Sequence, residues 1–593
     1  MGDEQSSKLP YSLLFAAIIV GIISGLGAVM FYILLEVFTE IFLDPTGIDF
    51  PVPAGEYVEI DLFDFDDLDL RYLILIVPSL GGIISGVLVY FFAPEAEGHG
   101  TDAVIEAFHK KRGLIRGRVP IIKTLASAVL IGSGGSAGRE GPIAQIGAGF
   151  ASNISHRLGF SERDREILIV AGMAAGIGSI FRAPLGGSIF GIEVLYRRDY
   201  ESEALIPCVI STFVAYIIFS LLIGWRPIFG IPQYTFQPMQ LPFFAALGLI
   251  AGLLARLYVR TFYFIRDIFK RWGIPNFLKP AIGGLIVGII GFFAPQMLGT
   301  GYGWIQQMFH TWVEMSVALL ILFFFAKMIA TSFSIGSGGS GGVFAPSVVM
   351  GGFLGGAVGV ILYKLFPDIV TDPHMFIIVG MGCFFAAAAK VPLASIIMIA
   401  EMTWDYNLLA PAFLASVVAY MVSGDISIYE KQLNKKIHSP LHEREFMFEF
   451  LSHLEVSTVA VPNIRKVDSN MTLDKLKEVF KETKRLALPV IDEDGRYVGI
   501  VRVEDLMAVN SDELCRRRVG EITRCIFTYV YPRNGLLTAL HKMSRNKLLE
   551  IPVVDEKSGM PIGTVSFRDI MKLLYYRAEE FIKETNKIKK GTE

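Results

Sequence analysis

Glu140 is the carboxylate in a run of small residues, Gly132 to Pro142 (GSGGSAGREGP), set inside strongly apolar sequence. Gly132, Gly134, Gly135 and Gly138, with Ser133 and Ser136, make a loop whose backbone N–H groups can turn toward a ligand at close range, because no Cβ blocks the approach. Pro142 suits a first helical turn, and Ile143, Ile146, Ala148, Phe150 and Ile154 carry the helix on. The loop thus predicts a helix N-terminus, whose partial positive charge favours an anion. Amides without a lysine at the point of contact suit a small inorganic anion that must bind and leave again.

The stretch recurs as Gly336 to Pro346, GSGGSGGVFAP, at an offset of 336 − 132 = 204. Phe91–Pro94 with Gly98-His99-Gly100 recurs as Phe292–Pro295 with Gly299-Thr300-Gly301, at an offset of 201. Gly172-Met173, Arg182–Leu185 and Glu193 recur as Gly380-Met381, Lys390–Leu393 and Glu401, at an offset of 208. Landmarks repeated in one order predict a duplicated domain, with halves at about 12–225 and 237–437. A plainer use of glycine, close helix packing, suits Gly21, Gly25, Gly352 and Gly356 better than either loop.

The elements that position these loops must be membrane helices. The chain is 52% hydrophobic, with 45 Phe and 59 Gly among 593 residues, which excludes an ordinary soluble domain. Ser12–Leu43, Leu73–Phe92, Leu205–Ile223, Leu241–Leu257 and Val317–Ala330 are candidate spans. The first run is too long, and lacks the small-residue cleavage site, for a cleavable leader. The net charge of −3 averages two unlike regions and implies no nucleic-acid partner. Cys208, Cys383, Cys515 and Cys525 have neither metal-ligand nor disulfide spacing and read as thiols of a reducing compartment.

Charge sets the topology. Asp44–Asp69 is acidic without Lys or Arg, whereas Lys110, Lys111, Arg112, Arg116 and Arg118 follow Leu73–Phe92, so that helix runs from outside to inside. Its repeat partner, about Ala281 to Phe293, is preceded by Arg256, Arg260, Arg266, Lys270, Arg271 and Lys279, and Tyr302–Val317 after it carries none. The copies are therefore expected to be inverted, which brings corresponding broken helices together near the midplane.

From about residue 436 no apolar run remains. The tail reads as two copies of an α/β unit: helix Thr472–Thr483, strand Leu488–Asp492, a turn at Glu493-Asp494-Gly495, strand Tyr497–Val501 and helix Glu504–Val509, then Ile551–Asp555, Ile562–Ser566 and Arg568–Leu574. The tail resembles a pair of CBS domains, cytosolic modules that often bind adenosine nucleotides (ATP, ADP or AMP). In such modules a Ser/Thr followed three residues later by Asp holds the ribose. Ser566 and Asp569 match, whereas the first copy has Arg502 before Asp505. A role limited to holding a dimer together is the competing reading.

Gly138-Arg139-Glu140-Gly141-Pro142, Gly342-Val343-Phe344-Ala345-Pro346, the Ala183-Pro184-Leu185 and Val391-Pro392-Leu393 helices and Glu401-Met402-Thr403 resemble the CLC family of chloride channels and chloride/proton exchangers, over roughly Ser12 to Ile437. The resemblance implies that Glu140 is the gating glutamate, competing with chloride and leaving when protonated, which couples occupancy to pH and voltage. It places Gly138, Arg139, Gly141, Val343, Phe344 and Tyr429 at the anion site, the last through its hydroxyl. His99 stands where the family has serine, and its ring either donates to the anion or points away. Val194 stands at the internal proton-relay position, where exchangers carry glutamate and channel members valine. Glu193 and Glu401, repeated in the two halves, read as structural.

The expected architecture is an α-helical polytopic membrane domain of two inverted repeats (residues 1–437), a linker (438–453) and a soluble α/β tandem CBS domain (454–593, copies about 454–513 and 518–577). The expected activity is passive chloride conduction, with no required cofactor and no metal, and chloride as the substrate. A chloride/proton antiporter with an atypical proton path is the alternative. A CBS-regulated divalent-cation transporter ranks far below, because it would need clustered intramembrane carboxylates. No catalytic constellation is assembled, so an enzyme is not expected. The resemblance further implies a homodimer in the lipid bilayer of the cell membrane, with the tail cytoplasmic.

Overall fold

The computed structural model describes residues 11–56, 70–311, 316–442, 451, 453–462, 464–524 and 528–576. Residues 57–69 of the acidic stretch, 443–450 and 452 of the linker, and Cys525 lie outside the described residues. Contacts divide the chain into two units, Met1–Leu441 and His442–Glu593.

Among its described residues the first unit holds eight helices in each half. The first half has α1 (Tyr11–Leu43), α2 (Val77–Phe92), α3 (Thr101–Lys110), α4 (Arg118–Gly132), α5 (Glu140–Arg157), α6 (Glu162–Ile180), α7 (Pro184–Glu193) and α8 (Leu205–Ile223). The second has α9 (Leu241–Arg271), α10 (Lys279–Phe293), α11 (Tyr302–Thr311), α12 (Val317–Gly336), α13 (Phe344–Leu365), α14 (His374–Ala389), α15 (Pro392–Thr403) and α16 (Leu409–Ser423). Packing partners correspond: α5 lies on α6 as α13 lies on α14, and α1 on α8 as α9 on α16. Across the halves the contacts are reciprocal, since a Cβ on Gly82 would strike the Pro280 carbonyl and one on Gly284 the Pro78 carbonyl. Reciprocity of this kind is the mark of a two-fold axis, here relating two inverted repeats.

Among the described residues six helices are long and apolar enough to cross a membrane. Two of the expected spans depart most from the expectation, and α2 is not among the six. Leu73–Phe92 is not one helix: a 3-10 turn covers Arg71–Leu75 and α2 starts at Val77, because Pro78 favours the first helical turn over an interior position. α9 runs on past Leu257 to Arg271, the amphipathic pattern continuing through buried Tyr258, Val259, Phe262, Ile265 and Phe269.

In the second unit α17 (Leu473–Thr483) buries Leu473, Leu476, Val479 and Phe480 on one face. The strands are β1 (Val461–Pro462), β2 (Val467–Asp468), β3 (Ala487–Ile491), β4 (Tyr497–Arg502), β5 (Glu550–Val554) and β6 (Pro561–Ser566). They form two three-stranded sheets, β2-β3-β4 and β1-β6-β5. The register shifts at Val490/Ile491 in one sheet and at Val553/Val554 in the other, 63 residues apart, so the duplication extends to the bulge. β1, which precedes the first copy's helix, pairs with β6 of the second.

Candidate functional site

The two Gly-rich loops meet head on. Gly138 N–H donates to the Gly342 carbonyl at 2.7 Å, and Gly342 N–H to the Gly138 carbonyl at 2.6 Å, as an isolated antiparallel bridge. The bonded residues are repeat mates, 342 − 138 = 204. Upstream, Gly134 (φ 91°) and Gly338 (φ 103°) hold left-handed conformations that turn each loop back from the end of α4 or α12. α5 and α13 begin two residues beyond the bridge, so their N-termini converge.

Glu140, the first residue of α5, reaches across to α13. Its Oε1 accepts from the Phe344 N–H at 2.5 Å, and the Val343 amide adjoins the carboxyl group. The cradle needs glycine: a Cβ on Gly342 would lie 2.2 Å from Oε1, and one on Gly138 2.3 Å from Oε2. A helix N-terminus favours a negative group, and here the tethered carboxyl group of Glu140 occupies the space.

His99 lies beside this cradle. Its carbonyl is so close to Gly141 that a Cβ there would come within 1.6 Å. Its ring does not point away from the Tyr429 side: the ring centroids are 5.4 Å apart, Nε2 is 3.3 Å from the Asp102 carboxylate and Nδ1 is buried without a partner. Tyr429 is fully buried, with Thr101, Asp102, Tyr258 and Glu140 as its polar neighbours. Asp102 accepts from Glu430 N–H (3.2 Å) and Lys431 N–H (3.1 Å), tying the start of α3 to the turn that carries Tyr429. Glu140 Oε2, His99 Nδ1, Thr101 Oγ1, Tyr258 OH and Tyr429 OH are all buried and have no hydrogen-bond partner among the described residues. Such groups each cost roughly 1–3 kcal/mol unless satisfied, so their gathering suits a small polar guest.

Arg139 turns elsewhere. Its guanidinium pairs with Glu56 and stands 5.7 Å from the ring centroids of Tyr32, Phe181 and Tyr302. Arg139, Glu56 and Tyr302 line a cavity of about 140 Å³, together with Glu36, Thr300 and Gly301. Arg139 therefore directs its side chain to Glu56 while the loop that carries it frames the cradle.

Other buried charges are spent on the framework. Lys123 Nζ donates to the Ala96 and Gly98 carbonyls (2.9 and 2.7 Å), and Lys327 Nζ to those of Met297 and Gly299 (3.1 and 2.9 Å). Sequence reasoning overlooked this pair, although 327 − 123 = 204 repeats the loop offset. Glu193 accepts from Leu393 N–H (3.2 Å) and Ala394 N–H (2.8 Å), capping α15, and Glu401 accepts from Leu185 N–H (3.1 Å) and Gly186 N–H (2.7 Å), capping α7. Val194 is fully buried in the apolar core at the end of α7.

In the tail, Ser566 Oγ donates to Asp569 Oδ2 at 2.5 Å and accepts from Asp569 N–H at 3.2 Å. Asp505, its counterpart, is instead held by Arg524, whose Nε and Nη2 lie 2.8 and 2.7 Å away.

Comparison with known proteins agrees with this geometry. Residues 81–424 match the family model described as voltage gated chloride channel, and 456–512 and 519–576 each match the CBS domain. Chloride channel protein CLC-f of Arabidopsis thaliana is 27% identical, covering 86% of this chain and 73% of that protein. The H(+)/Cl(-) exchange transporter ClcA of Vibrio cholerae is 29% identical, covering 73% of this chain and 91% of that one. The crystal structure of a slow cyanobacterial Cl-/H+ antiporter superposes with a TM-score of 0.62 at 25% identity, over 71% of this chain and 97% of that one. The chain belongs to the voltage-gated chloride channel (CLC) family, and two CBS domains follow its membrane unit.

Proposed function

We propose that this protein carries chloride across a membrane along a pathway gated by Glu140. The observation that carries the reading is the Glu140 carboxylate bonded to the Phe344 amide at the N-terminus of α13. An amide cradle that binds a tethered carboxylate also binds a free anion once the carboxylate withdraws, and protonation removes the charge that holds it. Val343, Phe344 and Tyr429 then line the anion's position, with Gly138 and Gly141 allowing the approach and His99 facing the inner side. Transport is passive in this reading, because Val194 offers no proton where an exchanger carries glutamate.

Coupled chloride/proton exchange is the second reading. It is favoured by the exchange activity named for the Vibrio relative and by the His99–Asp102 pair beside Tyr429. A reversal-potential measurement in a planar bilayer separates the two. Under a chloride gradient the potential follows chloride alone for a channel, and it shifts with an added pH gradient for an exchanger.

The tail is assigned to nucleotide regulation through Ser566 and Asp569, because no arginine pairs with the Asp569 carboxylate among the described residues, whereas Arg524 pairs with that of Asp505. The remaining assignments are a homodimer in the cell membrane, with residues 1–437 as transport domain, 438–453 as linker and 454–593 as cytoplasmic regulatory domain.

A further inference from the structure

A second cavity, about 290 Å³, opens between the turn after α7, the junction of α14 and α15, and the end of α16. Its lining carries three cations, Arg197, Arg198 and Lys390, against one carboxylate, Asp425. The cations are held rather than splayed. Lys390 is only 2% exposed, with Nζ on the Tyr420 carbonyl (3.0 Å) and Ser423 Oγ (2.5 Å) and 4.6 Å from the Tyr420 ring centroid. Arg197 Nη1 donates to the Asp425 carbonyl at 2.7 Å, Tyr420 OH donates to the Arg197 carbonyl at 2.7 Å, and Arg198 pairs with the Asp425 carboxylate. Arg197 Nε is buried with no hydrogen-bond partner among the described residues. The wall therefore has a positive excess and an unused donor.

The cavity borders exposed apolar surface. Met421, on its rim, is 72% exposed at the end of an apolar helix, and α9 crosses α16 beside it, with Gly252 seated on Ala419 and Val422 and Leu253 and Leu257 facing outward. Arg197 N–H and Arg198 N–H bond the Leu433 and Asn434 carbonyls at 2.8 and 3.1 Å, so the cavity lies on the face from which the chain leaves toward the tail. Basic pockets between membrane helices at this depth recognise phosphate headgroups, and arginine's fork suits phosphoryl oxygens.

We propose that this cavity is a binding site for a phosphate-bearing anion, with Arg197 and Arg198 as the phosphoryl ligands and Lys390 supplying charge from the floor. An incoming phosphate competes with Asp425 for the two arginines. Asp425 stands four residues before Tyr429, so occupancy bears on the turn that holds Tyr429 at the candidate site.

The test uses the full chain in nanodiscs of phosphatidylcholine doped with phosphatidylglycerol or phosphatidic acid, and reads retained lipid by native mass spectrometry. Inorganic phosphate and glycerol 3-phosphate serve as soluble competitors. The expected result is a loss of about tenfold or more in anionic-lipid retention for the double change Arg197→Gln and Arg198→Gln, and a gain for Asp425→Asn, which removes the carboxylate that pairs with Arg198. Met421→Trp, which narrows the mouth without touching a charge, should also reduce retention and guards against misfolding of the arginine variant. Lipid retention with no effect of soluble phosphate identifies a headgroup site. Saturable phosphate binding that the arginine change removes, without lipid selectivity, identifies a soluble anion. Equal retention of anionic and neutral lipid together with no phosphate binding overturns the proposal, as does retention unchanged in all three variants.

Discussion

Lys123 and Lys327 do the same work in the two halves of the membrane unit, whereas Glu140 and Phe344, equally related by the repeat, do opposite work. Each lysine is fully buried and spans two carbonyls of the loop that follows α2 or α10. Glu193 and Glu401 behave alike too, each capping the helix of the other half. At the loops the backbone remains symmetric, but Arg139-Glu140 faces Val343-Phe344, and a carboxylate from one half sits on the amide of its own mate. His99 faces Thr300 in the same sense, one beside Tyr429 and the other lining the Arg139 cavity. The contrast teaches that residues which repeat build the frame, and that residues which fail to repeat are where the two halves become different.

The sharpest way to break that comparison is to make the halves alike. Glu140→Gln should abolish the pH response of chloride flux in liposomes and change flux at neutral pH by about tenfold or more, since a neutral amide no longer competes for the cradle. Gly342→Ala should reach a similar state with the glutamate intact, because its Cβ would stand 2.2 Å from Glu140 Oε1. A wild-type pH response in both variants would remove Glu140 from the gate.

The frame gives the next effect. Lys123→Met and Lys327→Met should each destabilise the detergent-solubilised protein by about 2 kcal/mol or more, because each strands two buried carbonyls. The comparison predicts similar losses in a thermal or denaturant titration. A large change in transport with no change in stability, for either lysine, would move that residue from frame to function. The smallest effect belongs to the tail. Asp569→Ala should remove adenosine-nucleotide binding to the full chain by calorimetry, and Asp505→Ala should leave it unchanged, because Asp505 is already neutralised by Arg524. Equal losses would mean that the two copies contribute alike.

Much of the frame was legible because it repeats. Gly132–Pro142 and Gly336–Pro346 share a pattern and a distance, and their meeting follows from inverted duplication alone. The break before α2 was less legible, since Leu73–Phe92 is apolar throughout and hydropathy does not register where Pro78 starts the helix. The lysine pair carried its signal in the same offset as the loops, but a single charge in an apolar run reads as noise until its acceptors are seen. For Arg139 the motif located the residue, and its direction depended on Glu56, distant in the chain.

By itself the sequence determined that this is a duplicated, inverted membrane unit with a paired α/β tail, because periodicity, charge bias and repeat offsets are local properties of the chain. Only the tertiary structure decided that Glu140 lies on the Phe344 amide, that His99 turns toward Tyr429 and Asp102, and that Glu193 and Glu401 cap helices in the opposite half. Those outcomes depend on which donors and acceptors from distant segments come within about 3 Å of one another, and that selection exists only once the helices have packed.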